Sequence, residues 1–230
     1  MTTLDARNLT KFFGLRPVLR GVSLTVARGE FVAVLGANGA GKTTLLRMLA
    51  TLSTPTSGAL FVDGVDALKQ PERARARIGV VSHQSLVYPD LTAFENLRFH
   101  AELHGATHAR IEDALRRVDL WARAHDPART FSRGMIQRLT IARATVHDPG
   151  LLLLDEPFTG LDQPSAANLS VLLREAAGAG RAVVMTTHEF GRGLDGLTRA
   201  VAIRDGRIGG ELTAGIDAAS LGALLHGAHR

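Results

Sequence analysis

An α/β fold with a parallel sheet covered on both faces is what this sequence predicts, and three observations carry the prediction. Apolar runs of strand length recur at Phe31–Leu35, Ile78–Val81, Leu151–Asp155 and Ala182–Thr187. Segments of helical pattern stand between these runs. The first run also leads through a glycine-rich turn directly into residues of helical composition, 44–50. A chain of 230 residues is long enough to bury a core and suits one domain with an insertion, or two closely joined subdomains.

Taken in order, the first sixty-five residues read as short strands at 4–9, 21–26, 31–35 and 59–62, separated by turn signals at Gly14, Arg28-Gly29, Ser57-Gly58 and Asp63-Gly64. After the strand at 78–81 the period changes. From 92 to about 118, Phe94, Leu97, Leu103, Ile111, Leu115 and Val118 give broken three- and four-residue spacings, the mark of a helical block inserted into the α/β pattern. Helix resumes at Ser132, a candidate N-cap, and stops at Asp148-Pro149-Gly150. A further helix is expected at 165–177 before the last strand, and the tail at 217–225 can form an amphipathic helix packed on the core.

Composition narrows the function classes. Apolar residues at 45% and charged residues at 21% are ordinary for a globular chain. No run approaches the length needed to span a bilayer, and the first eight residues lack the pattern of a signal peptide, so a cytoplasmic address is expected. With no cysteine, disulfides and thiolate-bound metals are excluded. The net charge of +5 comes from scattered residues, which argues against a nucleic-acid surface. Of the 27 basic residues only Lys11, Lys42 and Lys69 are lysine, and one of the three sits in the glycine-rich turn.

That turn, Gly36-Ala37-Asn38-Gly39-Ala40-Gly41-Lys42-Thr43-Thr44, fits G-x-x-x-x-G-K-[ST] in the strand–turn–helix context the motif requires. Glycines let successive backbone N–H groups converge on phosphate oxygens, and the positive end of the following helix points at the same charge. Asn38, Gly39, Ala40, Gly41, Lys42, Thr43 and Thr44 are therefore candidate nucleotide-binding residues. Lys42 would reach the β- and γ-phosphates, and the Thr43 hydroxyl would ligate Mg2+. The apolar strand ending in Asp155-Glu156 delivers two acids at its carboxyl end, where α/β sheets place ligands. Asp155 is placed to hold Mg2+ through water, and Glu156 to polarise an attacking water in line with the γ-phosphate.

With these motifs in this order, the chain resembles the ATP-binding cassette family, the ATPase subunits of ABC transporters, over essentially its whole length. The resemblance implies a P-loop NTPase core of RecA type, an antiparallel β subdomain and an inserted α-helical subdomain. It divides the chain into a nucleotide-binding core at 1–85 and 143–215, a helical subdomain at 86–142 and a tail at 216–230. Phe131-Ser132-Arg133-Gly134-Met135 stands where the family has its signature, so Ser132 and Gly134 would bind the γ-phosphate of ATP held by the other subunit of a dimer. Arg133 replaces the usual first glycine and Met135 the usual glutamine. Gln84, after Val80-Val81-Ser82-His83, resembles the glutamine that senses metal and attacking water. Thr159-Gly160-Leu161-Asp162 resembles the loop that crosses the dimer interface, with Asp162 as its acid, and Thr187-His188-Glu189 resembles the switch segment, in which His188 would hydrogen-bond the γ-phosphate. Phe13 falls where the family places a ring against adenine.

The function so implied is ATP binding and hydrolysis with ATP and Mg2+, in a subunit peripheral to the inner face of the cell membrane. Its partners would be a second ATPase subunit, in a homodimer or beside a homologue, and separate transmembrane permease subunits, with Leu86, Val87 and Tyr88 as candidate docking residues; no nucleic-acid partner is expected. The phrases 49–58, 131–135 and 155–162 are similar to ATPase subunits of the haem exporter of cytochrome c maturation and occur also in drug and lipid exporters. Two other readings stay open: a non-transport cassette acting on ribosomes or DNA, and a regulatory cassette that hydrolyses ATP poorly because of Arg133 and Met135. Finally, His100, His104 and His108 at i, i+4 and i+8 could line one helix face as metal or haem ligands, but Gly105 is expected to break that helix, and ligation is set aside.

Overall fold

The computed structural model describes residues 1–82, 84–188 and 195–227. In chain order the first half comprises β1 (Thr2–Phe13), β2 (Arg16–Ala27), β3 (Phe31–Leu35), α1 (Lys42–Leu49), β4 (Ser57–Val62), β5 (Val65–Asp66), α2 (Pro71–Arg75), β6 (Ile78–Val81), α3 (Ala93–Leu103) and α4 (His108–Arg117). Two short 3-10 turns, Trp121–Arg123 and Ala128–Thr130, lead to α5 (Arg133–Thr145). Then follow β7 (Leu151–Asp155), α6 (Gln163–Gly178), β8 (Ala182–Thr187), β9 (Arg199–Arg204), β10 (Arg207–Leu212) and α7 (Ala218–His226).

Two sheets result. The antiparallel one has the order β2-β1-β4-β5, and the six-stranded one has the order β10-β9-β3-β8-β7-β6, parallel except for the β9–β10 hairpin at its edge. Because side chains alternate across a strand, each central strand feeds two cores. Phe31, Ala33 and Leu35 pack with the α3–α6 side, whereas Val32 and Val34 pack with α1 and the antiparallel sheet. Full burial on both faces explains why β3, β7 and β8 read as unbroken apolar runs. Both glycine-rich turn and acid pair then emerge at the carboxyl ends of parallel strands, β3 and β7, which flank β8.

Several expectations need correction. The strands foreseen at 4–9 and 21–26 are parts of twelve-residue strands, because the hairpin about Gly14 lets pairing continue from Leu4↔Val26 to Phe13↔Arg16. The block at 92–118 is two helices: Gly105 at φ 66 ends the first, and Thr107 begins the second. Thr92 caps α3 through a reciprocal capping box with Glu95. The elements β5, α2, β9 and β10 were not foreseen, although Asp205-Gly206, both at positive φ, is a strong hairpin signal between the last two. The tail helix is present and buries Leu221 and Leu224 on the core.

Candidate active site

The glycine-rich turn wraps the start of α1. Gly39 (φ 81) and Gly41 (φ 107) take left-handed conformations, and a Cβ on Gly41 would meet the Leu19 side chain at 2.7 Å. Gly41 occupies the N-cap position without a side-chain cap, so the helix presents backbone N–H groups at its positive end. Lys42 is buried, its Nζ donating to the carbonyls of Gly36 at 2.8 Å and Ala37 at 3.3 Å. The ammonium is thereby held at the centre of the turn, 3.9 Å from Glu156 Oε1. Val18 of β2, Asn38, Gly39, Gly41, Lys42, Thr43, Thr44 and Glu156 line one continuous cleft.

The acids join this cleft from β7. Asp155 is buried, and its Oδ1 accepts from the Thr186 hydroxyl at 2.6 Å and from the Thr43 hydroxyl at 3.2 Å. Glu156 sits at φ 49, outside the conformations its residue type prefers. Its N–H is held by both the carbonyl (3.2 Å) and the hydroxyl (3.0 Å) of Thr186, and its carboxylate lies 3.1 Å from His188 Nδ1. Parallel pairing of Asp155 with Thr186 in adjacent strands places this hydroxyl between the two acids. Thr186 was missed by sequence reasoning; its position opposite Asp155 becomes visible only once β7 and β8 are known to be neighbours.

Thr43 and Asp155 present hydroxyl and carboxylate oxygens, the hard donor set that suits Mg2+. Gln84 lines a second cavity, of about 610 Å³, together with Thr43 and Asp155. The structure thus brings together Lys42, Thr43, Asp155, Glu156, His188 and Gln84. It does not bring Ser132, Gly134, Asp162 or Phe13 into the cleft lined by the turn. Ser132 N-caps α5, accepting from Met135 N at 3.3 Å, and Asp162 N-caps α6, accepting from Ser165 N at 2.9 Å. Gly134 has a packing role as well, since a Cβ there would lie 2.2 Å from Ser165 Oγ. Phe13 is exposed beside the hairpin turn, with the Lys11 ammonium 5.2 Å from its ring centre. Leu86 and Tyr88 are exposed, while Val87 packs on the core. His83 and Glu189 lie outside the described residues.

The family model described as ABC transporter matches residues 19–159. The chain belongs to the ABC transporter family. It is 41% identical over 175 residues to the ABC transporter ATP-binding protein NatA of Bacillus subtilis (strain 168), covering 74% of this chain and 71% of NatA. The linearmycin resistance ATP-binding protein LnrL of the same organism is 36% identical over 80% of this chain and 61% of its own length. The Nod factor export ATP-binding protein I of Cupriavidus metallidurans is 39% identical over 80% of this chain and 62% of its own length. The match therefore spans between 61% and 71% of the length of these three relatives. Among solved structures, an ATP-binding subunit of an ABC transporter superposes with a TM-score of 0.84 at 29% identity, over 96% of this chain and 94% of that one. The cassette MJ0796, solved as a dimer in a post-hydrolysis state bound to ADP and Pi, gives 0.81 at 28% identity, over 91% of this chain and 98% of that one. As an ABC cassette with a P-loop NTPase fold, this chain is an ATPase.

Proposed function

We propose that this chain is the ATP-hydrolysing motor of an exporter whose membrane-spanning path is supplied by separate permease subunits. The observation that carries the reading is the continuous set Lys42, Thr43, Asp155, Thr186, Glu156 and His188 at the carboxyl ends of β3, β7 and β8. Among the described residues no helix is long and apolar enough to cross a membrane.

In this reading the N–H groups about Asn38–Thr44 receive the phosphates of ATP, and the Lys42 ammonium moves from its carbonyl partners onto the β- and γ-phosphate oxygens. Thr43 and Asp155, with Gln84 nearby, would hold Mg2+, which supplies charge neutralisation between the phosphates. Glu156 orients the attacking water in line with the γ-phosphate. His188, 3.1 Å from that carboxylate, fixes its direction and reaches the γ-phosphate oxygens. Ser132 and Gly134, which do not line their own cleft, serve the ATP of a second copy, the use that a capped helix N-terminus suits. Asp162 stands at the same interface and Phe13 offers an exposed face for adenine. The core at 1–85 and 143–215, the helical part at 86–142 and the tail at 216–230 would then lie together on the inner face of the membrane, as the resemblance implies.

On cargo, the names of matched relatives include linearmycin resistance and Nod factor export, which favours the exporter class without favouring haem. Haem export in cytochrome c biogenesis rests on the similar phrases at 49–58, 131–135 and 155–162. Steady-state ATPase assays test the motor: turnover abolished by Lys42→Ala and by Glu156→Gln supports it, and equal residual turnover in all three proteins overturns it. Glu156→Gln should elute as a dimer with MgATP and as a monomer without nucleotide. Purification from native membranes in mild detergent, with partners identified by mass spectrometry, separates haem-related permeases, other permeases and ribosomal or DNA-acting assemblies.

A further inference from the structure

The helix break at Gly105, expected from the sequence, separates His108 from His100 and His104, and a different histidine takes its place. His108 packs edge-on against Phe94, at 5.9 Å between ring centres. His100 in the last turn of α3 and His104 at its C-cap instead meet His147, which follows α5. The rings lie 4.7, 5.5 and 4.0 Å apart, and each offers a nitrogen within 4.8 Å of the others.

We propose that His100, His104 and His147 form a binding site for one transition-metal ion of the zinc, nickel or copper class, which fastens α3 to the frame made by β6 and α5. Two features support it beyond proximity. First, His147 Nε2 donates to the carbonyl of Ile78 at 3.1 Å, which leaves Nδ1 as the lone-pair nitrogen. Metal-ligating histidines are oriented by such a bond from the other ring nitrogen to a backbone carbonyl. Second, that Nδ1 is buried and has no hydrogen-bond partner, an arrangement that costs free energy unless something occupies it.

The geometry is close to what an ion requires. Two imidazole nitrogens on one tetrahedral zinc stand about 3.3 Å apart, given bonds of about 2.0–2.1 Å. The nitrogens lie within 4.8 Å of one another, so binding would require a side-chain rotation that unstacks His104 from His147. Charge does not attract the ion, because the Arg143 guanidinium faces His100 and His147, while Asp148 offsets it only on the His147 side. Selection therefore falls to the strength of metal–imidazole bonds, which favours Zn2+, Ni2+ and Cu2+ over Mg2+ and Ca2+. His100 and His104 also line the cavity of about 610 Å³ that Gln84, Thr43 and Asp155 line, so the ion would sit in the wall of a space continuous with the acid site.

The test uses the full chain without a polyhistidine tag, stripped of metal and titrated with Zn2+ and with Co2+ as a visible probe. Expected are one ion per chain, a Co2+ spectrum of four-coordinate type, a rise in Tm with Zn2+ but not Mg2+, and slowed hydrogen exchange in 93–104 and 145–149. His147→Ala should weaken binding by at least the 10–100-fold that loss of an outer-shell partner costs, with His108→Ala unchanged. If His147→Ala does not fold, His104→Ala, at the end of α3, carries the same comparison. Wild-type binding no tighter than that of the histidine variants overturns the site, as does equal loss in His108→Ala. Tight binding without slowed exchange overturns the fastening. None of these readouts requires ATP turnover.

Discussion

Replacing Thr186 by valine keeps the shape of a buried side chain and removes one hydroxyl, so it isolates what that hydroxyl does. In the wild type it donates to Asp155 Oδ1 at 2.6 Å and accepts from Glu156 N at 3.0 Å. A hydrogen bond to a charged group contributes about 1.5–3 kcal/mol. Glu156 N keeps the Thr186 carbonyl at 3.2 Å, and Asp155 keeps the Thr43 hydroxyl at 3.2 Å, so neither group is orphaned. The expected loss is therefore about 2 kcal/mol. Thr186→Ser retains the hydroxyl and loses one methyl, about 0.8 kcal/mol. Urea unfolding followed by circular dichroism reads the difference as a shift in midpoint at constant slope. ATPase turnover should fall about 10–100-fold in the valine variant, the cost of an outer-shell partner, and stay near wild type in the serine variant. Valine within about 0.5 kcal/mol of wild type with unchanged turnover refutes the reasoning, as does serine falling as far as valine.

Gly79→Ala would place a Cβ 2.2 Å from the Ala144 carbonyl oxygen and 2.7 Å from Leu152 Cδ2, so a drop of about 1–3 kcal/mol in thermal or chemical stability is expected; an unchanged Tm would show that α5 yields freely. Gly134→Ala should lose both stability and ATP-dependent dimerisation, and adding Ser165→Ala removes the atom 2.2 Å away and should restore stability alone; dimerisation restored with it would make Gly134 a packing residue only. Metal-free protein should lose stability as pH falls from 7.5 to 5. His100 and His147 bind protons in the unfolded chain near 6.5 but are held at about 3 and about 4 when folded, so the folded state gains stability above that window and loses it below. The full effect is about 2 kcal/mol per ring, and solvent screening of these partly exposed groups halves it; a variant with both replaced by Asn should show a flatter profile by about 2 kcal/mol in total.

The central sheet was legible because β3, β7 and β8 are buried on both faces, which writes an unbroken apolar signal into the sequence. The same strands end in the turn and acid pair, so the candidate site came with them. The β9–β10 hairpin was less visible, since its outer strand alternates half-buried and exposed residues and contains Gly209-Gly210. Thr186 and His147 were illegible for a different reason. Each acquires its meaning from a partner far along the chain, Asp155 across a strand pair and Ile78 beyond a helix, and local period carries no information about such pairings. The histidine set was legible in part: the break at Gly105 that puts His108 on another helix was expected, whereas the approach of His147 to His100 and His104 was not.

Arg133 and Met135, the departures from the family's signature, take on structural uses once α5 is seen as a connection between two parts of the site. At its N-terminal end Arg133 Nη2 donates to the Thr159 carbonyl at 3.2 Å, and Gln137 Nε2 donates to the Pro157 carbonyl at 3.0 Å. Both acceptors belong to the loop that follows Glu156. Near its C-terminal end Arg143 Nη2 donates to the Val80 carbonyl at 3.2 Å, and beyond it His147 donates to that of Ile78, both on β6, the strand that runs toward Gln84. Met135 packs its side chain on the core under the same helix. One rigid helix thus touches the loop after one catalytic candidate and the strand before another, so displacement of either end must be felt at the other. Glycine at 133 would remove the bond to Thr159 and withdraw the guanidinium that lies against Gly160, a residue at φ 71. Arginine here therefore ties the helix to its own acid loop, a constraint that a glycine at this place could not supply.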